Sequence, residues 1–223
     1  MLALLLASTA AFAADAPPPV TTTDIGVLKD SEIRVVQKML YVKDDRTEFG
    51  AHLGVMPFDG FTFAPQLAVT GTLHPSETLG FEVQLGGGYG FKTARYLLLE
   101  SETYGVAVEA YRYLGSATAT AQWSPVYAKV NLGQGTILHH DVYLLAGAGL
   151  TIESSVLPGG TLALAPTVPL GIGARVWVAK NTALRFELRD NLMIERRSQS
   201  QTTAFKQNVA LSVGISSFSK AKR

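Results

Sequence analysis

Residues 184–194 have the sequence LRFELRDNLMI, in which apolar and polar side chains alternate. Most even positions, such as Leu184 and Leu188, are apolar, and most odd positions, such as Arg185 and Glu187, are polar; Asp190 is the one charged residue on the apolar face. Alternate residues of a β-strand point to opposite faces of its sheet. The stretch therefore predicts a strand with one apolar and one polar face.

Seven further segments show the same alternation. The eight segments are 46–56, 62–73, 79–91, 124–133, 139–152, 166–179, 182–196 and 206–218. Most have about the 9–11 residues that a tilted membrane-crossing strand needs, and an even number of strands suits a closed antiparallel barrel. We predict an all-β fold, an up-and-down barrel of eight strands over residues 46–218, or of ten if residues 96–114 form another hairpin.

Composition limits the other possibilities. Of the 223 residues only 17% are charged, yet no run approaches the roughly 18 apolar residues of a membrane-spanning helix. The net charge of +1 provides no field that would attract nucleic acid. Without cysteine the chain has neither disulfides nor thiolate metal sites.

The polar face indicates which side of the sheet points outward. It carries ten glycines, from Gly50 to Gly214, together with nearly all the strand charges. Glycine contributes nothing to a water-facing surface, whereas a narrow barrel interior needs small residues among large ones. We therefore expect the polar face to line the interior and the apolar face to contact lipid. A soluble ligand-binding barrel, with its apolar face inward, has the same alternation and is the competing interpretation.

The N-terminal sequence indicates export. An apolar segment over residues 2–11 is followed by Ala11-Phe12-Ala13, which fits a signal-peptide cleavage site. We predict a signal peptide over residues 1–13, a periplasmic linker over 14–45 with a short helix from Asp30, and a basic tail over 219–223. The predicted location is the outer membrane.

With both termini in the periplasm, the outward aromatic residues sort into two levels. Phe49, Phe81 and Phe186 fall near the periplasmic rim, and Phe63, Tyr89 and Phe91 near the outer rim. Such aromatic girdles mark the two membrane interfaces. The same orientation makes the connections over residues 92–123, 153–165 and 197–205 external loops.

The inward charges form the candidate site. All but one map to the periplasmic half of their strands, and Glu195 lies near the outer rim. The predicted lumen network consists of Glu48, Glu82, Lys129, Asp141, Arg175, Arg185, Glu187 and Arg189. An eight-stranded barrel is just wide enough for its side chains to fill, and desolvated charges must be paired. We expect a salt-bridged plug and a solid barrel.

Catalysis and metal binding have weak support in the sequence. Ser124 lacks a G-x-S-x-G elbow, and His52, His74 and His139 do not form a set with it at matching depth. His139 and His140 are adjacent, so on a strand their imidazoles diverge. We expect no enzymatic activity, no metal site and no cofactor.

Four segments also carry a family resemblance. WSPVYAKV at 123–130 and DVYLLAGAG at 141–149, with VVQKMLY at 35–41 and LRDN at 188–191, resemble the small outer-membrane β-barrel family common in myxobacteria and related bacteria. The resemblance implies the barrel fold and assigns no activity. One departure is that Phe218 is followed by SKAKR, whereas outer-membrane barrels usually end on an aromatic residue.

Together these patterns predict an outer-membrane barrel with a structural, anchoring or partner-docking role. Its expected partners are outer-membrane lipid and other envelope proteins, the latter through the outer loops 92–123 and 153–165, and no nucleic acid. A small-solute channel is the alternative, and a soluble periplasmic carrier is the second alternative.

Overall fold

The computed structural model describes residues 41–131, 137–197 and 200–220. The predicted signal peptide, the helix predicted from Asp30 and residues 221–223 of the predicted tail lie outside these ranges. The described elements are β1 (Arg46–Met56), β2 (Thr62–His74), β3 (Leu79–Gly88), β4 (Phe91–Lys92), α1 (Ala94–Glu100), β5 (Tyr111–Asn131), β6 (Ile137–Ser155), β7 (Leu162–Ala179), β8 (Thr182–Arg196) and β9 (Thr203–Phe218).

Eight of the strands close into a ring. The order is β1-β9-β8-β7-β6-β5-β3-β2, and β2 pairs with β1 again. Every pairing is antiparallel, from Arg46 opposite His74 in the β1–β2 pair to Arg196 opposite Thr203 in the β8–β9 pair. The short β4 pairs only with the start of β2. The prediction of a closed, eight-stranded antiparallel barrel is confirmed.

The apolar face forms the exterior of this ring. Leu144, Ile172 and Leu188 are each 44% exposed, although they lie in the middle of long strands. Arg185, on the opposite face of β8, is completely buried. A soluble carrier would need the reverse arrangement, so the exterior excludes that alternative. No helix in the described ranges is long and apolar enough to cross a membrane.

All six predicted girdle aromatics lie on the exterior. Phe49 and Phe81 flank β2, opposite Gly71 and Leu73 respectively, and both are more than half exposed. At the other end Phe63 pairs with Phe91, whose ring centroid is 5.1 Å from that of Tyr89. Aromatic residues therefore lie on the exterior near both ends of the barrel.

The region from residue 92 to 123 differs from the predicted loop. It contains α1, with the side chain of Thr93 capping its N-terminus, and then the first half of β5, which begins at Tyr111 rather than at residue 124. Register shifts between Tyr113 and Gly115 and between Trp123 and Val126 reverse the alternation twice within this one strand. A pattern that alternates at every second residue therefore could not predict the whole of β5. No additional hairpin forms in this described segment.

Two other predicted outer loops are shorter than expected. β6 continues to Ser155 and β7 begins at Leu162, which leaves 156–161 as the connection instead of 153–165. β9 begins at Thr203 instead of residue 206. The long strands therefore carry the barrel wall beyond the predicted ends.

Candidate functional site: the charged interior of the barrel

The inward face of the strands brings most of the predicted charges together in the periplasmic half. Seven of the eight predicted residues have buried side chains, and Arg175 and Arg185 have no exposed surface at all. Buried charges require paired and hydrogen-bonded partners. The contacts of the three arginines supply them.

Arg185 is the centre of this network. Its Nη1 lies 3.3 Å from Glu48 Oε1, its Nη2 lies 2.7 Å from Glu82 Oε2, and Nη2 also contacts Glu187 Oε1. Its Nε donates to the hydroxyl oxygen of Tyr143 at 3.1 Å, and that hydroxyl donates to Glu187 Oε1 at 2.5 Å. One guanidinium therefore contacts carboxylates from three strands.

Arg175 and Arg189 extend the network in opposite directions. Arg175 Nε lies 3.1 Å from Glu48 Oε2, and its Nη1 lies 3.2 Å from Asp141 Oδ2. Arg189 Nη2 lies 2.9 Å from Glu82 Oε1 and 3.0 Å from Glu187 Oε2. The planar guanidinium group suits such multiple carboxylate contacts better than an ammonium group does.

A fourth cation reaches this network from the segment that precedes β1. Lys43 Nζ contacts Asp141 Oδ2, and the backbone N–H of Lys43 donates to Glu77 at 2.9 Å. Burial lowers the pKa of Lys43, and Asp141 offsets part of this effect. We define the lower network as Lys43, Glu48, Glu82, Asp141, Arg175, Arg185, Glu187 and Arg189, which contains four acids and four bases.

Lys129 is the predicted member that the structure does not bring into this network. Its side chain is exposed near the end of β5, after the register shift between Trp123 and Val126. Lys43 supplies the corresponding cation. The sequence signal for Lys43 was weak, because the residue stands in the charged run 43–46, which resembles a solvated turn.

Aromatic side chains cover the periplasmic side of the lower network. Tyr41 stacks on Trp177 with ring centroids 5.1 Å apart, and Trp177 in turn lies 4.4 Å from Phe218. Phe218 also stacks on His74, and Arg46 lies over its ring. The last aromatic residue of the final strand thus points into the barrel.

Tyr143 depends on a glycine in the neighbouring strand. Gly173 is paired with Tyr143, and a Cβ at Gly173 would lie 2.2 Å from Tyr143 Cζ and 2.4 Å from its hydroxyl oxygen. Any side chain at this position would push the ring away from Arg185 and Glu187. A glycine on the inward face here has a packing role.

We expect Gly173→Ala to lower the free energy of unfolding by about 1–3 kcal/mol, because the methyl group overpacks the interior. Urea unfolding in detergent micelles measures the change. Gly71→Ala is the matched control, since its Cβ would face the exterior and come no nearer than 3.8 Å to the Phe49 ring. Equal effects at the two positions would contradict this role of Gly173.

A second cluster of charges lies toward the predicted outer end of the barrel, around Lys206. Lys206 Nζ lies 3.1 Å from Asp59 Oδ2, 3.1 Å from Glu153 Oε1 and 3.3 Å from Glu195 Oε2. The predicted network included none of these residues, although Glu195 was placed near the outer rim. Asp59 lies in a loop and Glu153 follows the predicted end of its strand, so alternation alone could not find them.

The outer cluster lowers the pKa of Asp59. Burial alone would raise the pKa of Asp59, but Lys206 and the backbone N–H of Phe61 outweigh burial and hold that pKa below its ordinary value. A lowered native pKa means that ionised Asp59 stabilises the barrel above its ordinary pKa. This stabilisation is lost as the pH falls through the native pKa.

We therefore expect the difference in unfolding free energy between wild type and Asp59→Asn to shrink as the pH falls from about 6 to about 2. Parallel urea titrations of both proteins measure it, and the carboxylates outside the outer cluster cancel because both proteins contain them. A difference that stays constant over this range would show that Asp59 contributes no pH dependence.

A small polar cavity lies between the two clusters. The cavity beside Arg189 is lined by Gln66, Gln84, Ser116 and Asn191, and its accessible volume of about 10 Å³ holds about one water molecule.

The histidines serve structural contacts. His74 Nε2 lies 2.8 Å from Glu48 Oε2, His52 Nε2 lies 3.1 Å from Thr70 Oγ1, and His139 Nδ1 lies 3.0 Å from the Tyr127 hydroxyl. Among the residues that the structure describes, no group of three or more His, Cys, Asp or Glu side chains could hold a metal ion.

A closed eight-stranded barrel with an apolar exterior, aromatic residues near both ends and a charged interior is a transmembrane β-barrel of the outer-membrane type. The chain therefore belongs in an outer membrane. Neither a protein-family model nor a curated protein matches the sequence. Its similarity to known proteins lies in the fold.

Among solved structures, the chain is similar to the N-terminal β-barrel domain of OprF from Pseudomonas aeruginosa. The TM-score is 0.51 at 9% identity, covering 79% of this chain and 98% of that chain. Neisserial surface protein A matches with a TM-score of 0.44 at 17% identity, covering 77% and 95%. Ail, the attachment invasion locus protein of Yersinia pestis, matches with a TM-score of 0.42 at 11% identity, covering 79% and 99%.

Proposed function

We propose that this protein is a sealed outer-membrane barrel. It has a structural, anchoring or partner-docking role, and the lower network plugs its lumen. The observation that carries the proposal is the burial of four acids and four bases in mutual contact across the barrel. A water-filled path needs solvated side chains along its length, and these charges are desolvated. In this proposal the protein is not an enzyme.

Planar-bilayer recording tests the seal. We expect purified wild-type protein to give no steady conductance. Glu48→Ala combined with Arg175→Ala removes an acid and a base together, widens the lumen without changing its net charge, and should introduce a measurable leak. Large, steady conductance of the wild type would refute the proposal of a sealed barrel and favour a small-solute channel.

The absence of catalysis is a separate part of the proposal. Ser124, the serine considered from the sequence, donates its backbone N–H to the carbonyl oxygen of Thr78 at 2.7 Å and belongs to β5. Hydrolysis of lipid or peptide substrates that disappears in Ser124→Ala would contradict this part.

The family resemblance also belongs to this proposal. Its two main segments, 123–130 and 141–149, form the paired β5–β6 hairpin, in which Val126 lies opposite Val142. This hairpin supplies Asp141 to the lower network, and its Tyr143 hydroxyl contacts Arg185 and Glu187 of that network. We propose that the chain is related to the small barrels of myxobacteria and related bacteria, whose shared feature is the fold.

A further inference from the structure

The barrel wall is open at its outer end between β7 and β8. The last residues paired across these strands are Thr167 and Met193. Beyond them β7 continues outward to Leu162 and is paired only with β6, while β8 continues to Arg196 and is paired only with β9. We call this opening, between residues 162–166 and 194–197, the β7–β8 cleft.

Contacts of the β8–β9 hairpin account for the opening. The backbone N–H of Ser200 donates to Glu109 Oε2 at 3.1 Å, and Lys206 Nζ donates to the carbonyl oxygen of Tyr111 at 3.2 Å. Among the described residues, these contacts hold the hairpin to the segment around the start of β5. Each wall of the cleft presents a strand edge without a strand partner in the described part of the chain.

The cleft holds a cavity of about 630 Å³ that combines charged and apolar side chains. This volume lies in the range of about 300–1,000 Å³ that is typical of ligand sites. Leu162 and Leu164 are 72% and 64% exposed. Arg197 contacts Glu195 through Nε at 3.1 Å, and Arg196 has no ion pair with any described residue.

The cleft faces water and not the hydrocarbon core. The paired part of β8, from Thr182 to Met193, is about 37 Å long, and with a tilt of about 40° it rises about 28 Å. This height is already about that of the apolar band of an outer-membrane barrel. Moreover, lipid-exposed open strand edges do not occur within the hydrocarbon region.

We propose that the β7–β8 cleft binds an extended, acidic peptide segment of a partner protein. The segment adds a strand to a free edge, places its carboxylates on Arg196 and Arg197, and packs apolar atoms on Leu162 and Leu164. This inference rests on the proposed docking role and gives it a location. A phosphate group would satisfy the arginines but would leave the two strand edges unpaired, so the peptide fits the observations better.

The test uses the full chain in phosphatidylcholine nanodiscs and a fluorescent hexapeptide of alternating threonine and glutamate. We expect fluorescence anisotropy to show binding. Arg196→Gln combined with Arg197→Gln should weaken it at least about tenfold, because charge-assisted hydrogen bonds are lost. Arg95→Gln, an exposed arginine in α1, is the matched control and should leave binding unchanged.

Two further probes separate strand addition from anion binding. The same hexapeptide with alternate backbone nitrogens methylated cannot complete a strand ladder and should not bind, and alternating threonine and lysine should not bind either. Absence of binding by the first hexapeptide would overturn the proposal. Equal binding of the methylated peptide, together with displacement by millimolar inorganic phosphate, would also overturn it and indicate an anion site.

Conductance of the same samples distinguishes this failure from failure of the proposed function. If the protein gives no conductance and binds no peptide, only the proposed peptide-binding role of the cleft is refuted. If the protein conducts, the proposal of a sealed barrel is refuted.

Discussion

We expect Arg185→Ala to lower the free energy of unfolding by about 3–5 kcal/mol, the range for breaking a buried charge network by removing one partner. The variant leaves Glu48, Glu82 and Glu187 close together with less positive charge among them. Because all three carboxylates are buried, solvent screens their mutual repulsion poorly once the guanidinium is gone.

Urea titration, followed by the shift in gel migration between boiled and unboiled samples, measures this loss. Arg95→Ala is the control, and as an exposed substitution it should stay within about 0.5 kcal/mol of wild type. Combining Arg185→Met with Glu82→Gln removes one charge of each sign and should cost less than Arg185→Ala alone. If Arg185→Ala unfolds at the wild-type urea concentration, the network does not stabilise the barrel.

The second large effect is expected on the opposite face of the same strand. Leu188→Arg should cost about 2–4 kcal/mol, because Leu188 lies near the middle of the membrane-crossing part of β8 and faces lipid. It pairs with Ile172 and Leu211, which are also outward and apolar.

Ile194→Arg is the matched control on β8. Ile194 is 52% exposed and also faces outward, but it lies near the outer end of the strand, where an arginine costs about 0–1 kcal/mol. Unfolding in lipid vesicles measures both variants. Equal costs at the two positions would mean that no depth-dependent apolar layer surrounds β8, and the membrane assignment would be wrong.

Alternation was sufficient to predict the fold because one period governs seven of the eight barrel strands. Residues 184–194 show why: outward Leu188 and inward Arg185 each have the exposure that their parity predicts. The main exception is β5, where two register shifts change which residues face inward, whereas β7 is irregular only at its end, between Trp177 and Ala179. Register shifts depend on pairing with neighbouring strands, and a periodicity read along one strand does not contain that information.

The site was predictable where it lies on regular strands and unpredictable elsewhere. Arg175, Arg185 and Arg189 are inward by parity, and their convergence follows from closing the ring. Lys43 lies outside the strands, and its contact with Asp141 joins residues 98 positions apart. Lys129 fails for the related reason that parity gives the face of a residue but not whether it lies inside the rim.

The acidic partners of Arg185 come from strands that are far apart in the sequence, and this affects how the barrel assembles. Glu48 comes from β1, Glu82 from β3 and Glu187 from β8, and the first two are 137 and 103 residues away from Arg185 in the chain. A hairpin or half-sheet that entered the bilayer early would carry ionised groups without their counter-charges into hydrocarbon. Neutralisation is complete only when β9 meets β1, so stepwise insertion of single hairpins is disfavoured and the strands should cross the membrane as one cooperative, comparatively slow event.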